Sequence, residues 1–223
     1  MPNWCNNSIE IGGDKKIISA LKKSIEGCKD SGVDVFKTLI GIPDYMTGDE
    51  YDKDWYDTNI GWFGTKWDIS YSEHSFNYED ELISFHCETA WSPPIEFLTN
   101  LVKQYDGIKA YIFYSEPGVS FSGQTNIYRD EDGRVCVDDE EYPYLEGLYK
   151  LDTDGFWSEV ESYVDNVRDD ITSQQDDVDE DEENESKIEE PLIREYVEEH
   201  FGFVTDKDKE TIFTQLNEEL NGN

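Results

Sequence analysis

From residue 82 to residue 89 apolar and polar side chains alternate, the two-residue period of a half-buried strand. Pro93 and Pro94 come next, and neither carries the backbone N–H that a ladder needs, so pairing has to stop there. Ser92 suits a helix N-cap and Pro93 the first helical position. Ile95, Leu98, Leu101, Val102 and Tyr105 then recur at helical spacing, an apolar stripe to lie on a sheet. Strand, rigid corner and packed helix are therefore predicted within about two dozen residues.

The same grammar opens the chain. Residues 4–11 read as a strand with Ile9 and Ile11 on one face; Gly12-Gly13 breaks it, and Asp14 can cap the next helix. Ile17, Ile18, Leu21, Ile25 and Cys28 form the apolar stripe of that helix, with Lys15, Lys16, Lys22 and Lys23 on the wet side. An apolar stretch runs to Ile42 and Pro43, and residues 44–59 are acidic and tyrosine-rich, which predicts a loop. Trp67, Ile69 and Tyr71 alternate as a further strand after glycines 61 and 64. Residues 108–114 are the most strand-like of all, and residues 119–128, the turn at Asp132-Gly133 and residues 134–137 predict an edge hairpin.

That order implies an α+β fold over residues 1–150: two helices on one side of a mainly antiparallel sheet, a ferredoxin-like split βαβ sandwich with an added hairpin. Residues 151–223 read as an acidic, mostly helical extension. An amphipathic helix spans roughly 154–171, and a flexible linker is expected near 173–190, where residues 176–190 hold ten acids against one lysine. Short helices are predicted around Leu192–Phe203 and Ile212–Leu220; this end is too small to fold alone and is expected to dock or pair.

Charge sharpens the division. The 223 residues carry a formal net charge of −35. Residues 1–128 hold 20 acids and 10 bases, residues 129–223 hold 33 acids and 8 bases. Such a field repels nucleic acid and membrane surfaces and draws in basic protein. No apolar run approaches a membrane span and residues 1–4 do not read as a signal peptide, so a cytoplasmic location is expected. Cys5, Cys28, Cys87 and Cys136 lack paired spacing and read as small buried residues; His74, His86 and His200 show no metal-ligand spacing. The run from Lys150 to Glu161 has an EF-hand flavour, but a lysine stands in the first ligand position, leaving an Asp-Gly turn before a capped helix.

Several phrases are specific: Met-Pro-Asn-Trp-Cys-Asn-Asn at 1–7, Gly-Thr-Lys-Trp-Asp at 64–68, Thr-Ala-Trp-Ser-Pro-Pro at 89–94, Tyr-x-Glu-x-Gly at 114–118 and Phe-Ser-Gly at 121–123. Together they resemble the phage and plasmid family of YubB/Api-type proteins carrying a ferredoxin-like domain. The resemblance covers roughly residues 1–135 and implies that fold and a mobile-element origin. It lends no catalytic residues.

Two candidate regions result. Lys66, Trp67, Asp68, Glu88 and Trp91 form a ligand or scaffold cluster, with Lys66 and Asp68 expected on one sheet face and Trp67 on the other. Asp176, Asp177, Asp179, Glu180, Asp181, Glu182, Glu183 and Glu185 are candidate partner-binding acids. The expected function is a non-enzymatic accessory protein without cofactors. It would bind a host protein with a basic surface and inhibit a nucleic-acid-handling or defence protein by imitating the phosphate backbone. It would touch neither nucleic acid nor membrane. A small-molecule binder or enzyme at Lys66/Asp68/Glu88 stands as one alternative. An oligomerisation module built through the C-terminal helices is the other.

Overall fold

A computed structural model describes residues 3–31, 34–43, 49–173, 188 and 190–221. By its internal contacts the chain divides into two compact units, Met1–Gly147 and Leu148–Asn223.

In the first unit, β1 (Trp4–Gly13) leads into α1 (Lys15–Ser31), α2 (Val35–Ile40) and α3 (Asp49–Phe63). Then come β2 (Phe76–Tyr78), β3 (Leu82–Ala90), α4 (Ile95–Gln104), β4 (Ile108–Glu116), β5 (Phe121–Arg129) and β6 (Val135–Pro143). The sheet order is β2-β3-β1-β4-β5-β6, and every neighbouring pair is antiparallel. Its first four strands carry the split βαβ pattern: the route from β1 to β2 skips over β3, and the route from β3 through α4 to β4 skips over β1. β5 and β6 are the added hairpin. The ferredoxin-like α+β fold expected from the sequence is the fold observed.

Alternation along β1 and β3 decides which face is covered. Cys5, Asn7, Ile9 and Ile11 are buried, and opposite them Ile83, Phe85, Cys87 and Thr89 are buried too. Asp14 caps α1 as predicted, its carboxylate accepting the N–H groups of Lys16 and Ile17. The helices supply Ile18, Leu21 and Ile25 from α1, Phe36 from α2, Phe63 from α3, and Phe97, Leu98 and Leu101 from α4. Phe36 stacks on Phe97 with ring centroids 4.1 Å apart.

Four local expectations are corrected. Residues 49–59, read as part of a loop, join residues 60–63 in α3, which packs on α4 and buries Thr58, Asn59 and Phe63. Residues 67–71 are not a strand: they bend and pass into a single 3-10 turn at Tyr71–Glu73, while the edge strand is the three-residue β2. Ser92 is not the cap of α4, because the helix starts at Ile95 with Pro94 in the cap position. The Ser92 hydroxyl donates instead to the carbonyl of Gly64 at 2.6 Å. The hairpin is also longer than predicted, since the acids at 138–141 lie within β6.

In the second unit, α6 (Thr153–Ser173), α7 (Glu190–His200) and α8 (Asp206–Asn221) pack on one another, after α5 (Tyr144–Leu151), which crosses the boundary. Asp152 accepts the N–H of Gly155 at the start of α6, the predicted turn and cap. Phe156, Val160, Ile193, Phe201, Ile212 and Leu216 form its buried centre. The last two helices, predicted to need a docking partner, find it in α6 of the same chain. The acids proposed between 176 and 185, and most of the expected linker, lie outside the described residues.

Candidate functional site

Where β1 and β3 meet at one end of the sheet, three of the specific sequence phrases are tied into a single corner. The Asn7 side-chain amide lies 2.8 Å from the carbonyl of Cys5, 3.1 Å from that of Cys87 and 2.9 Å from the Thr89 hydroxyl oxygen. Thr89 donates its own hydroxyl to the Ser92 carbonyl, Ser92 donates to Gly64, and Thr65 donates to the carbonyl of Ala90. The N–H of Trp91 donates to the carbonyl of Asn3 at 2.9 Å. Gly64 has φ 83°, and a Cβ there would meet the carbonyl of Pro93 and the N–H of Glu96 at 3.2 Å, so the turn is pressed against the start of α4.

A fourth phrase closes the neighbouring turn. Glu116 is buried, and its carboxylate accepts the N–H groups of Gly118 and Val119. Asn3 lies directly under Gly118, where any side chain would strike it. The side chains of Asn7, Thr65, Thr89, Ser92 and Glu116 are thus spent on holding backbone, which is a structural office.

The aromatic residues of the same corner face outward. Trp4 is 45% exposed, Tyr56 40%, Trp67 39% and Trp91 39%; among the described residues these are four of the six exposed large hydrophobic side chains. Trp4 and Trp67 have ring centroids 6.1 Å apart, Tyr56 and Trp91 6.4 Å. Lys66 joins the two pairs: its ammonium stands 4.4 Å from the Trp67 ring and 4.7 Å from that of Trp91, within cation–π range of both. Trp91 adopts φ 73°, a left-handed backbone that costs a bulky residue of the order of 1 kcal/mol or more and persists because the surrounding bonds fix it.

Of the predicted cluster, the structure unites Lys66, Trp67 and Trp91. It does not add Asp68 or Glu88. With residues 64–70 bent and not extended, Lys66 and Asp68 do not share a sheet face. Asp68 turns inward, accepting the N–H groups of Phe36, Lys37 and Ile69, each at 2.7 Å, and so caps α2 from outside that helix. Burial pushes its carboxyl up to about 6, while those three donated bonds pull the other way. Glu88 stands exposed on β3 opposite Asn6, on the face away from Cys87. Trp4 and Tyr56 were missed from the sequence. Trp4 gave one signal, its place in register with the polar Asn6 and Ser8; Tyr56 lay in the supposed loop.

Burial pushes the Cys5 thiol up to about 12 and raises that of Cys87 as well. His74 is lowered, chiefly by burial. Among the described residues no group of three or more His, Cys, Asp or Glu side chains is arranged to hold a metal ion, and no helix is long and apolar enough to cross a membrane.

The fold and corner define an α+β protein with a ferredoxin-like domain and a helical, acidic extension. Residues 66–154 match a family model described as the ferredoxin-like domain in Api92-like protein, so the Api-type resemblance holds over that segment. A crystal structure of a protein Api92 from Yersinia pseudotuberculosis is similar over 64% of this chain and 98% of that one, at 11% identity and a TM-score of 0.37. No curated protein matches the sequence.

Proposed function

We propose that this is a binding protein of a phage or other mobile element that engages a basic host protein through its polyanionic surface. Bound there, it occupies a groove that the host protein otherwise uses for nucleic acid, and so inhibits it. One observation carries the reading: residues 148–223 hold 25 carboxylates against 6 lysines and arginines, so internal pairing leaves most of the negative charge for a partner.

The described ion pairs fit that arithmetic. Arg194 meets Glu210 and Lys209 meets Glu198, each at 2.7 Å. Along β6, exposed acids are satisfied by neutral donors instead. Tyr128 donates to Asp138, Tyr114 and Thr125 to Asp139, and Gln124 to Glu140. Those bonds fix the position of each carboxylate and bring no cation to it. The raised thiols of Cys5 and Cys87 and the occupied carboxylate of Asp68 support a binder in preference to a catalyst.

The test is capture from host lysate at low salt by the full chain and by a variant carrying amides at Asp176, Asp177, Asp179, Glu180, Asp181, Glu182, Glu183 and Glu185. The wild type should retain a basic protein that duplex DNA displaces. Undiminished capture by the variant, or indifference to DNA, would overturn the reading.

A further inference from the structure

We propose that the exposed aromatic corner of Trp4, Tyr56, Trp67 and Trp91 receives an arginine side chain from a basic partner segment, and that Lys66 fills that place in the free protein. Such a site rests on the polyanionic reading and adds what a diffuse negative field lacks, a fixed point of recognition.

Lys66 already shows what the rings hold. The chain carries 53 acids, yet among the described residues the Lys66 ammonium has no carboxylate partner and rests on two indole faces. Those faces are placed to hold a cation between them. A side chain on a flexible four-carbon stem can also leave by rotating outward, which vacates the rings without moving backbone.

The cost of the corner points the same way. Three tryptophans and a tyrosine kept between 39% and 45% exposed bury less apolar surface than they would inside. Trp91 adds backbone strain at φ 73°. The bonds from Trp91 N–H to Asn3, Thr89 to Ser92, and Ser92 to Gly64 hold the corner rigid, so the rings are presented in advance of any partner. Tryptophan, tyrosine and arginine are the residues enriched where binding energy concentrates.

Charge selects the sign of the occupant. Residues 1–128, which supply the whole corner, hold 20 acids against 10 bases, a balance that gathers cations and opposes an anion, even one aimed at Lys66. Arginine is favoured over lysine because its planar, weakly hydrated guanidinium stacks on an indole and gives up less water in doing so.

The experiment titrates the full chain with an alternating Arg-Gly peptide and with a Lys-Gly peptide of equal length, by calorimetry at low and high salt. The wild type should prefer the Arg-Gly peptide about fivefold, and the preference should survive salt that abolishes Lys-Gly binding. Lys66→Met should tighten Arg-Gly binding about threefold, while Trp67→Ala with Trp91→Gly should erase the preference and keep the salt-sensitive background. In the unaltered protein, the indole N–H resonances of Trp4, Trp67 and Trp91 should shift with peptide. That of Trp62, which donates to the Gly41 carbonyl, should stay. This readout needs no variant to fold. Weaker Arg-Gly binding by Lys66→Met would show that Lys66 supports the site and does not stand in for its occupant, and would overturn the proposal. Equal binding of both peptides by wild type and aromatic variants would overturn it while sparing the polyanionic reading. Absence of any peptide binding at low salt would overturn both.

Discussion

Asp68 accepts the backbone N–H of Phe36 at 2.7 Å across a sequence gap of 32 residues. Asp34 holds the N-cap position of α2 but makes no side-chain cap bond, so the helix is capped by a residue far along the chain. The arrangement ties the bend that carries Lys66 and Trp67 to the core helix bearing Phe36.

This bond makes the corner pH-sensitive in a stated direction. With a folded value of about 6 against an ordinary 3.8, the fold holds the Asp68 proton more tightly than the unfolded chain does. The group therefore favours folding below about pH 4, and that contribution is lost as pH rises through 6. The stability of wild type minus Asp68→Asn, from urea melts, should fall by about 2 kcal/mol between pH 4 and pH 7. A difference that stayed level or rose would contradict the assignment.

Asn7 is buried and bridges β1 to β3 through Cys87 and Thr89. Replacing it with Ala removes the two amide N–H donors shared among the carbonyls of Cys5 and Cys87 and the Thr89 hydroxyl, so a loss of about 2–4 kcal/mol is expected from denaturant melts. Asn7→Ser should recover part of it.

Trp91 separates stability from binding. Trp91→Gly relieves the left-handed strain and removes a ring already 39% exposed. Thermal stability should hold or rise slightly, by up to about 1 kcal/mol, while arginine-peptide preference disappears. A marked drop in melting temperature would instead make the indole a packing element.

Thiol accessibility tracks burial. Cys5, Cys28 and Cys87 are buried and Cys136 is partly exposed. A disulfide reagent at neutral pH should modify Cys136 promptly and the other three only on unfolding. Rapid modification of Cys5 or Cys87 in the native protein would show that the corner opens.

Phe156 is fully buried in the second unit, with rings of Tyr149, Trp157, Phe201 and Phe203 around it at centroid distances from 5.1 to 6.4 Å. Phe156→Ala should cost about 3–5 kcal/mol there. Hydrogen exchange would register the loss in α6–α8 and leave β1, β3 and β4 protected.

Much of the fold was legible because its signals are local. Ile9 and Ile11, the stripe of α1, the alternation of β3 and the stripe of α4 each state which face is to be buried, and the sheet takes them up unchanged. Residues 49–63 misled because their apolar side chains make no clean stripe; packing on α4 makes them helical. Trp67, Ile69 and Tyr71 alternate as a strand would, but the bonds from Phe36 and Lys37 draw Asp68 inward and bend the segment away from any ladder.

By itself the sequence determined the order of elements, their buried faces and the imbalance of charge, since periodicity and composition need no knowledge of what lies across the fold. Tertiary structure decided the aromatic corner. Trp4, Tyr56, Lys66, Trp67 and Trp91 come from four separate stretches of chain and meet only when β1 pairs with β3 and α3 packs on α4. Their side chains point outward because the polar groups beneath them are committed to backbone, and that commitment exists only in the folded protein.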